Sequence, residues 1–314
     1  MSEQRIDLDI LIVGGGPGGL AAAIYAARAR RKTLVIDKVY PGGQLMYTAH
    51  IENYPGFPKG AAGMELAAQM VEQVKNFGVE IRTEEAGELF SDDSRIIVKT
   101  DKSEIRAGTA IIAAGASWRK LDVPGEKKLS GKGVSYCATC DGMLYRDREV
   151  VVVGGGDTAI CEALFLTRFA SKVSVVHRRD ALRAEKIVQE RAFENDRINF
   201  IWNSVVTEIL GKDKVEGIRL QNKKSGEESS FDTDGVFIFI GNIPNTEFLP
   251  PDIEKNDQGQ IVTNQKMESS MPGLYAVGDI RAGSIRQVIS AAGDGATAAW
   301  YADKYLDALE QAPH

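Results

Sequence analysis

Two stretches of the chain share one order: an apolar run, a glycine turn, an Ala-rich run and a second apolar run. They are DILIVGGGPGGLAAAIYAARARRKTLVIDK, residues 9–38, and EVVVVGGGDTAICEALFLTRFASKVSVVHRR, residues 149–179. Short continuous runs such as Ile10–Val13 and Val150–Val153 predict strands buried on both faces of a parallel sheet. The Ala-rich stretches predict helices, so each copy reads as β-turn-α-β. Between the copies, AAGMELAAQMVEQVKNFG (61–78) has apolar residues at 64, 67, 71 and 74, the spacing of an amphipathic helix that serves packing alone. Residues 96–115 predict a β-hairpin feeding a buried strand.

The glycines turn this pattern into chemistry. Gly14 permits a tight turn, Gly16 lets the backbone approach a pyrophosphate, and Gly19 allows close helix–strand packing. Gly154, Gly156 and Ala159 occupy the same places in the second copy. Two fingerprints in matching context point to two dinucleotides. The second strands end on Asp37 and His177, each 23 residues past the first glycine of its copy. An acid there accepts hydrogen bonds from ribose hydroxyls, whereas a cationic site accommodates a 2′-phosphate. The cluster His177, Arg178, Arg179 and Arg183 therefore argues for NADPH in the second copy. NAD would satisfy the first copy as well as FAD. A chain rarely needs two free nicotinamides, so FAD is expected there.

Near the C-terminus, GLYAVGDIRAG (273–283) reads as a strand ending at Gly278-Asp279, followed by a long Ala-rich helix. A carboxylate at that strand end can bind the hydroxyls of an extended cofactor, which would return the C-terminal segment to the first domain. Pro/Gly-rich joints at 115–126 and 239–252 agree. The expected fold is α/β with two Rossmann-like domains, the NADPH domain (119–247) inserted into the FAD domain (1–118 and 248–314).

Composition narrows the partners. The 314 residues carry a formal net charge of −6 and a pI of about 5.3, which argues against nucleic acid or an anionic membrane as partner. No segment approaches the ~20 apolar residues of a membrane span, and MSEQRIDLDILIV lacks the pattern of a secretion signal. A cytoplasmic protein is expected. Three cysteines are no disulfide framework. Two of them, Cys137 and Cys140, sit in GVSYCATCDGMLY (133–145) and allow half a zinc site, a structural bridge or a redox pair.

Together the motifs GGGPGG, PGGQL (41–45), ENYPGFP (52–58), CATCDG (137–142), GGGDTA (154–159), HRRDALRAEK (177–186), GNIPNT (241–246) and AVGD…RQVISAAG (276–293) resemble one family over nearly the whole chain, the low-molecular-weight bacterial-type thioredoxin reductases. The resemblance implies a homodimer in which electrons pass from NADPH to FAD, then to the cysteine pair, then to thioredoxin. It casts Cys140 as the thiol facing the flavin, Cys137 as the interchange thiol and Asp141 as the acid/base. It assigns FAD to Gly14, Gly16, Pro17, Gly19, Asp37, Gly43, Gln44, Asn53, Gly115, Gly278, Asp279, Arg286, Gln287 and Val288. NADPH falls to Gly154, Gly156, Asp157, Thr158, His177, Arg178, Arg179 and Arg183, and no metal is implied. Two departures stand out. Ala113-Ala114-Gly115 replaces the usual Ala-Thr-Gly, and Cys161 stands where many relatives carry an acid; Cys161 reads as a bystander.

The chemistry favours the redox reading. Zinc needs four ligands, and the chain offers only Cys161 and three histidines beside the pair, none at finger spacing. A bridge across so short a loop stabilises little. Reduction of a protein disulfide needs a dithiol, because attack gives a mixed disulfide that a second thiol resolves. The departing thiolate needs a proton, which Asp141 can supply if burial raises its pKa; a capping Asp before Gly142 is the plain alternative. The pair belongs to the NADPH domain, yet pair and nicotinamide must reach one flavin, so residues ~120–246 are expected to rotate about the two joints. A glutaredoxin-like or peroxiredoxin-linked substrate and a ferredoxin-dependent relative are the alternatives; intact GGGDTA and HRR argue against the last.

Overall fold

The computed structural model describes residues 4–48, 51–92 and 95–311, apart from the Cys140 side chain. It divides into two compact units, 1–117 with 243–314, and 118–242. The first unit opens with β1 (Gln4–Val13), α1 (Pro17–Arg28), β2 (Thr33–Asp37), α2 (Gly63–Asn76), β3 (Glu80–Thr83), β4 (Ala86–Asp92), β5 (Arg95–Thr100) and β6 (Ser103–Ile112). A short strand, β7 (Ala116–Trp118), leads out of it. The second unit holds α3 (Glu126–Leu129), β8 (Val134–Ser135), α4 (Ala138–Asp141), β9 (Glu149–Val153), α5 (Asp157–Leu166), β10 (Lys172–Val176), α6 (Lys186–Phe193), β11 (Ile198–Ile201), β12 (Ser204–Leu210), β13 (Gly217–Asn222), β14 (Glu228–Asp232) and β15 (Gly235–Ile238). The chain returns through β16 (Asn242–Pro244) to β17 (Leu274–Ala276) and α7 (Val288–Gln311).

In the first unit β1 is the sheet's organiser. It pairs in parallel with β2 on one side and β6 on the other. It begins at Gln4, well before the apolar run, because β6 is long enough to pair it from Gln4 opposite Ser103 to Val13 opposite Ile112. The far edge of β6 is shared: β5 forms the expected hairpin along its first half, and β17 joins in parallel along its last three residues. The C-terminal segment thus completes the first sheet. Strand alternation sorts the core, with Ile10 and Ile12 packing on the helical side beside Leu20, Val74 and Ala298, and Leu11 and Val13 on the other face beside Val98 and Ile261. The α2 helix buries Ala67, Val71 and Val74 as its spacing predicts, and Leu66 and Met70 beside them. Met64 does not follow; it shares the angular position of Val71, but in the first turn it lies beyond the core and is 56% exposed.

The second unit repeats the scheme on a five-stranded parallel sheet ordered β11-β10-β9-β15-β8. Val150 and Val152 meet α5 through Ala159, Ile160 and Ala163. Val151 and Val153 face the other way, onto Val206, Ile218 and Leu220 of an antiparallel layer formed by β12, β13 and β14. That layer covers the face opposite α5, with Leu129 of α3 buried in the same cluster.

The chain crosses between units twice, at 117/118 and 242/243, each time inside a Pro/Gly-rich stretch. There β7 and β16 pair as a two-stranded ribbon. Arg119 N–H donates to the Gly241 carbonyl at 2.8 Å, and Asn245 N–H to the Gly115 carbonyl at 3.1 Å. Among the described residues, no helix is long and apolar enough to cross a membrane.

Candidate active site

Parallel α/β sheets present their ligand sites where turns leave the carboxyl ends of strands. In the first unit that edge carries the Gly14 turn after β1, Asp37 at the end of β2, Gly115 after β6 and Gly278-Asp279 after β17. Gly14 has φ +111, and a Cβ there would strike the Ala113 carbonyl, while one at Gly19 would strike the Gly14 carbonyl. Gly16 is different. Its φ is −76, and the nearest atom to a Cβ built on it is the Gly43 Cα, 3.9 Å away. Neither backbone conformation nor packing calls for glycine at that position.

Gly156 repeats this in the second unit, with φ −98 and nothing within 4 Å of a built Cβ. At both places glycine leaves room in front of a helix that has no side-chain cap. Pro17 occupies the first turn of α1, where its missing N–H costs nothing. The Asp157 carboxylate caps no N–H of α5 and accepts the Glu185 N–H at 2.6 Å. Free N–H groups, the positive end of a helix dipole and space for close approach are what a pyrophosphate requires. The residues present fit two dinucleotide cofactors.

Around the first turn, Asp37 accepts the N–H of Gly15 at 2.6 Å and of Val39 at 3.0 Å. With Lys38, Glu84, Ser117 and Asn245 it lines a cavity of about 450 Å³, in the range of nucleotide-sized sites. Gly43, at φ +57, lies against Gly16, and Gln44 donates to the Ala116 carbonyl at 2.9 Å. The fold brings Asn53 and Gln287 together, the Asn53 amide donating to Gln287 Oε1 at 2.8 Å. Arg286 holds the uncommon φ of +57 for a non-glycine, one residue before Gln287 and two before Val288, where α7 starts. Burial raises the pKa of Asp279, and Asp294 adds to this, while Arg286 and a hydrogen bond from Ser284 act in the opposite direction. Asp294 accepts bonds from Arg281 at 2.7 and 3.0 Å and from the Gly278 N–H at 3.1 Å, fixing the Gly-Asp turn from below.

In the second unit, the redox turn follows β8, the open glycine turn follows β9, and the basic segment follows β10. All three strands are parallel, so the three features share one edge of one sheet. Cys137 is held in a disulfide and is 9% exposed. The Ser135 hydroxyl accepts the Cys137 N–H at 3.0 Å and donates to the Cys137 carbonyl at 3.1 Å, closing residues 135–137 into a tight ring. Cys140 lies on α4, its side chain outside the described residues. Asp141 is half-buried at the end of that turn. Its N–H donates to the Cys137 carbonyl at 3.2 Å, and its carboxylate caps no helix. Met143 and Leu144 follow at 66% and 72% exposure.

Arg178, Arg179, Arg183 and Thr158 are exposed, as a phosphate-reading surface needs. His177 is not part of that charge. It is 4% exposed, its ring lies directly under Gly155, and burial together with the three arginines lowers its pKa, leaving a neutral imidazole. The strand ends at Val176, one residue before the position the pattern gave, and the pattern could not show that the residue just past it points inward.

Three groups escaped the sequence analysis. Besides Asp294 there are Glu126, buried within the segment read as a joint, and Glu162. Glu162 as a residue is partly exposed, but its Oε2 is sealed from solvent without a hydrogen-bond partner, and burial pushes its pKa up to about 7. Its neighbour Cys161 faces outward on α5. Among the described residues no group of three or more His, Cys, Asp or Glu side chains is placed to hold a metal ion.

Known proteins match this arrangement. The family model for pyridine nucleotide-disulphide oxidoreductases matches residues 8–295. The chain is similar to thioredoxin reductase of Bacillus subtilis, with 46% identity over 312 residues, covering 99% of this chain and 98% of the relative. Among solved structures, Lactococcus lactis thioredoxin reductase superposes with a TM-score of 0.94 at 42% identity, over 96% of this chain and 99% of the other. A ferredoxin-flavin thioredoxin reductase from Clostridium acetobutylicum matches with a TM-score of 0.54 at 32% identity, over 97% and 100%. With two open glycine turns, each before an uncapped helix, and a disulfide on the edge of the second sheet, the chain belongs to the pyridine nucleotide-disulphide oxidoreductase family.

Proposed function

We propose that this chain is an NADPH-dependent thioredoxin reductase, a cytoplasmic homodimer with FAD in its first unit and NADPH and the redox disulfide in its second. The observation that carries the reading is the edge of the second sheet, where the Cys137 turn, the open Gly156 turn and three exposed arginines stand together. Gly16, Asp37, Gln44, Asn53, Asp279 and Gln287 hold the flavin nucleotide, which when bound supplies a carrier between hydride and disulfide chemistry. Arg178, Arg179 and Arg183 read the 2′-phosphate without help from a histidine charge.

Once reduced, the Cys137 thiolate attacks one sulfur of the partner's disulfide, and that bond breaks as a mixed disulfide forms. Asp141, not engaged in capping, protonates the departing sulfur. The Cys140 thiolate then attacks Cys137, restoring the internal disulfide and releasing the partner's second sulfur with a proton. Two electrons have moved to the partner. The exposed Met143 and Leu144 beside the turn offer an apolar rim for a small protein substrate. The second unit turns about the β7–β16 ribbon to present its edge first to flavin and then to thioredoxin.

Stopped-flow mixing with NADPH and separately with NADH, followed by oxidised thioredoxin, tests this. NADPH should bleach the flavin within seconds and thioredoxin should restore it, while Cys137→Ser bleaches but transfers nothing. Bleaching by reduced ferredoxin and not by NADPH would move the chain to the ferredoxin-dependent reading.

A further inference from the structure

Glu126 is 3% exposed, and its three partners are all neutral donors. Leu121 N–H donates to Oε1 at 2.9 Å, Asp122 N–H to Oε2 at 2.6 Å, and the Tyr136 hydroxyl to Oε1 at 2.5 Å. A buried carboxylate without a cation is costly unless its hydrogen bonds are complete. The two ends of this network are not arbitrary. Leu121 and Asp122 follow the crossing at 117/118 almost at once, with only Arg119, itself bonded to Gly241 of the return crossing, and Lys120 between Trp118 and Leu121. Tyr136 immediately precedes Cys137.

Both ends are stiff. Asp122 has φ +57, a strained value for a non-glycine that persists only where neighbours over-determine it. The next turn is pinned too: Ile209 N–H donates to the Pro124 carbonyl at 2.9 Å, and a Cβ on Gly125 would strike the Ile209 carbonyl. At the other end, the Ser135 hydroxyl closes residues 135–137 into a ring, so Tyr136 cannot shift without moving Cys137. Burial and the Glu126 carboxylate both raise the Tyr136 pKa, so its hydroxyl stays a donor.

We propose that Glu126 is a positioning residue that ties the entry of the second unit to its redox turn, so that a displacement at the joint is delivered to Cys137. This rests on the thioredoxin reductase reading. The carboxylate touches neither the sulfur nor a cofactor; it acts through Tyr136. The pyrophosphate-binding turn at Gly154–Gly156 follows β9 and is not on this path.

Tyr136→Phe is the gentle test, because it removes one hydroxyl and leaves both backbone N–H bonds to Glu126 in place. In single-turnover mixing with NADPH, the flavin-reduction phase should match wild type. The following phase, electron passage into the disulfide, should slow by roughly 10- to 150-fold, the worth of one hydrogen bond to a charged group. In steady state kcat for thioredoxin should fall by a similar factor with KM unchanged, while the melting temperature of the holoenzyme falls by about 3–10 °C. Glu126→Gln, whose amide must face at least one N–H or O–H donor, should slow the same phase further. A Tyr136→Phe enzyme with wild-type kcat, or one in which both phases slow together, would overturn the proposal. The wild-type control keeps the premises apart: no turnover of any disulfide protein would sink the reductase reading, whereas normal wild-type turnover with an indifferent Tyr136→Phe sinks the coupling alone.

Discussion

Adjacent glycines in the second turn should respond to alanine in opposite ways. At Gly156, φ −98 and ψ −179 suit any residue, and the added Cβ meets nothing within 4 Å. Less unfolded-state freedom gains about 0.4–1 kcal/mol, and the poorer N-cap costs a similar amount, so Gly156→Ala should melt within about 2–4 °C of wild type. The new methyl nevertheless occupies the space that lets a pyrophosphate reach the N–H groups of α5. Losing one charge-assisted hydrogen bond costs about 1.5–3 kcal/mol, which weakens NADPH binding by roughly 10- to 150-fold. At Gly155 the same methyl runs into the buried His177 ring, with the closest ring carbon only 2.5 Å from the built Cβ. Overpacking of this kind costs about 1–3 kcal/mol, so Gly155→Ala should lower the melting temperature whether or not nucleotide is present. Titration of each variant with NADP⁺, followed by calorimetry and by thermal melting, separates the two effects. A Gly156→Ala protein that folds normally and binds NADP⁺ like wild type would refute the assignment of that space to the cofactor.

Two further substitutions probe groups invisible to the sequence. Glu162 holds its proton up to about pH 7 in the fold against an ordinary value of 4.5, so its contribution to stability is present below 4.5 and lost as pH rises towards 7. Glu162→Gln should remove that decline and stabilise the protein at pH 8 by up to about 3 kcal/mol; denaturant melts at pH 5 and pH 8 measure it, and equal shifts at both would contradict the burial argument. Asp294→Ala strands Arg281, whose side chain is only 18% exposed, and frees the Gly278 N–H. It should destabilise the first unit by about 3 kcal/mol and loosen the retained flavin. Unchanged flavin retention on dialysis would show that the Gly-Asp turn does not depend on this support.

Much of the fold was legible because local rules left few options. The runs at 10–13 and 150–153 are too short and too apolar for anything but central parallel strands, and three glycines after each fix the turn. The return of 273–283 to the first sheet was readable from a strand ending in Gly278-Asp279, whose carboxylate suits the hydroxyls of an extended cofactor, and β17 does pair with β6. What stayed hidden depends on partners distant in sequence or on direction. His177 carries the right position in the motif, yet whether that side chain faces water is decided by Gly155 and Trp202. Glu126 sits in a stretch whose Pro and Gly read as a joint, and its meaning appears only with Tyr136 ten residues on. The β12–β14 layer drew no assignment; its strands cover a sheet face that becomes visible only once β9 is known to be central.

The parallel second sheet also constrains the catalytic cycle. With the order β11-β10-β9-β15-β8, the strand direction places the redox turn, the nucleotide turn and the return crossing after β15 on the same carboxyl edge. Sites on one edge of a stiff sheet cannot take turns by moving relative to one another, since β8 and β9 are both bonded to β15. In the proposed reaction both must serve one flavin, and the disulfide must also meet a protein the size of thioredoxin. The freedom this demands has to lie outside the sheet, in the few residues of the β7–β16 ribbon. Stiffening that ribbon, by a disulfide between engineered cysteines on its two strands, should therefore depress thioredoxin turnover while leaving the affinity of the second unit for NADP⁺ intact. Full turnover in the cross-linked enzyme would place the motion elsewhere.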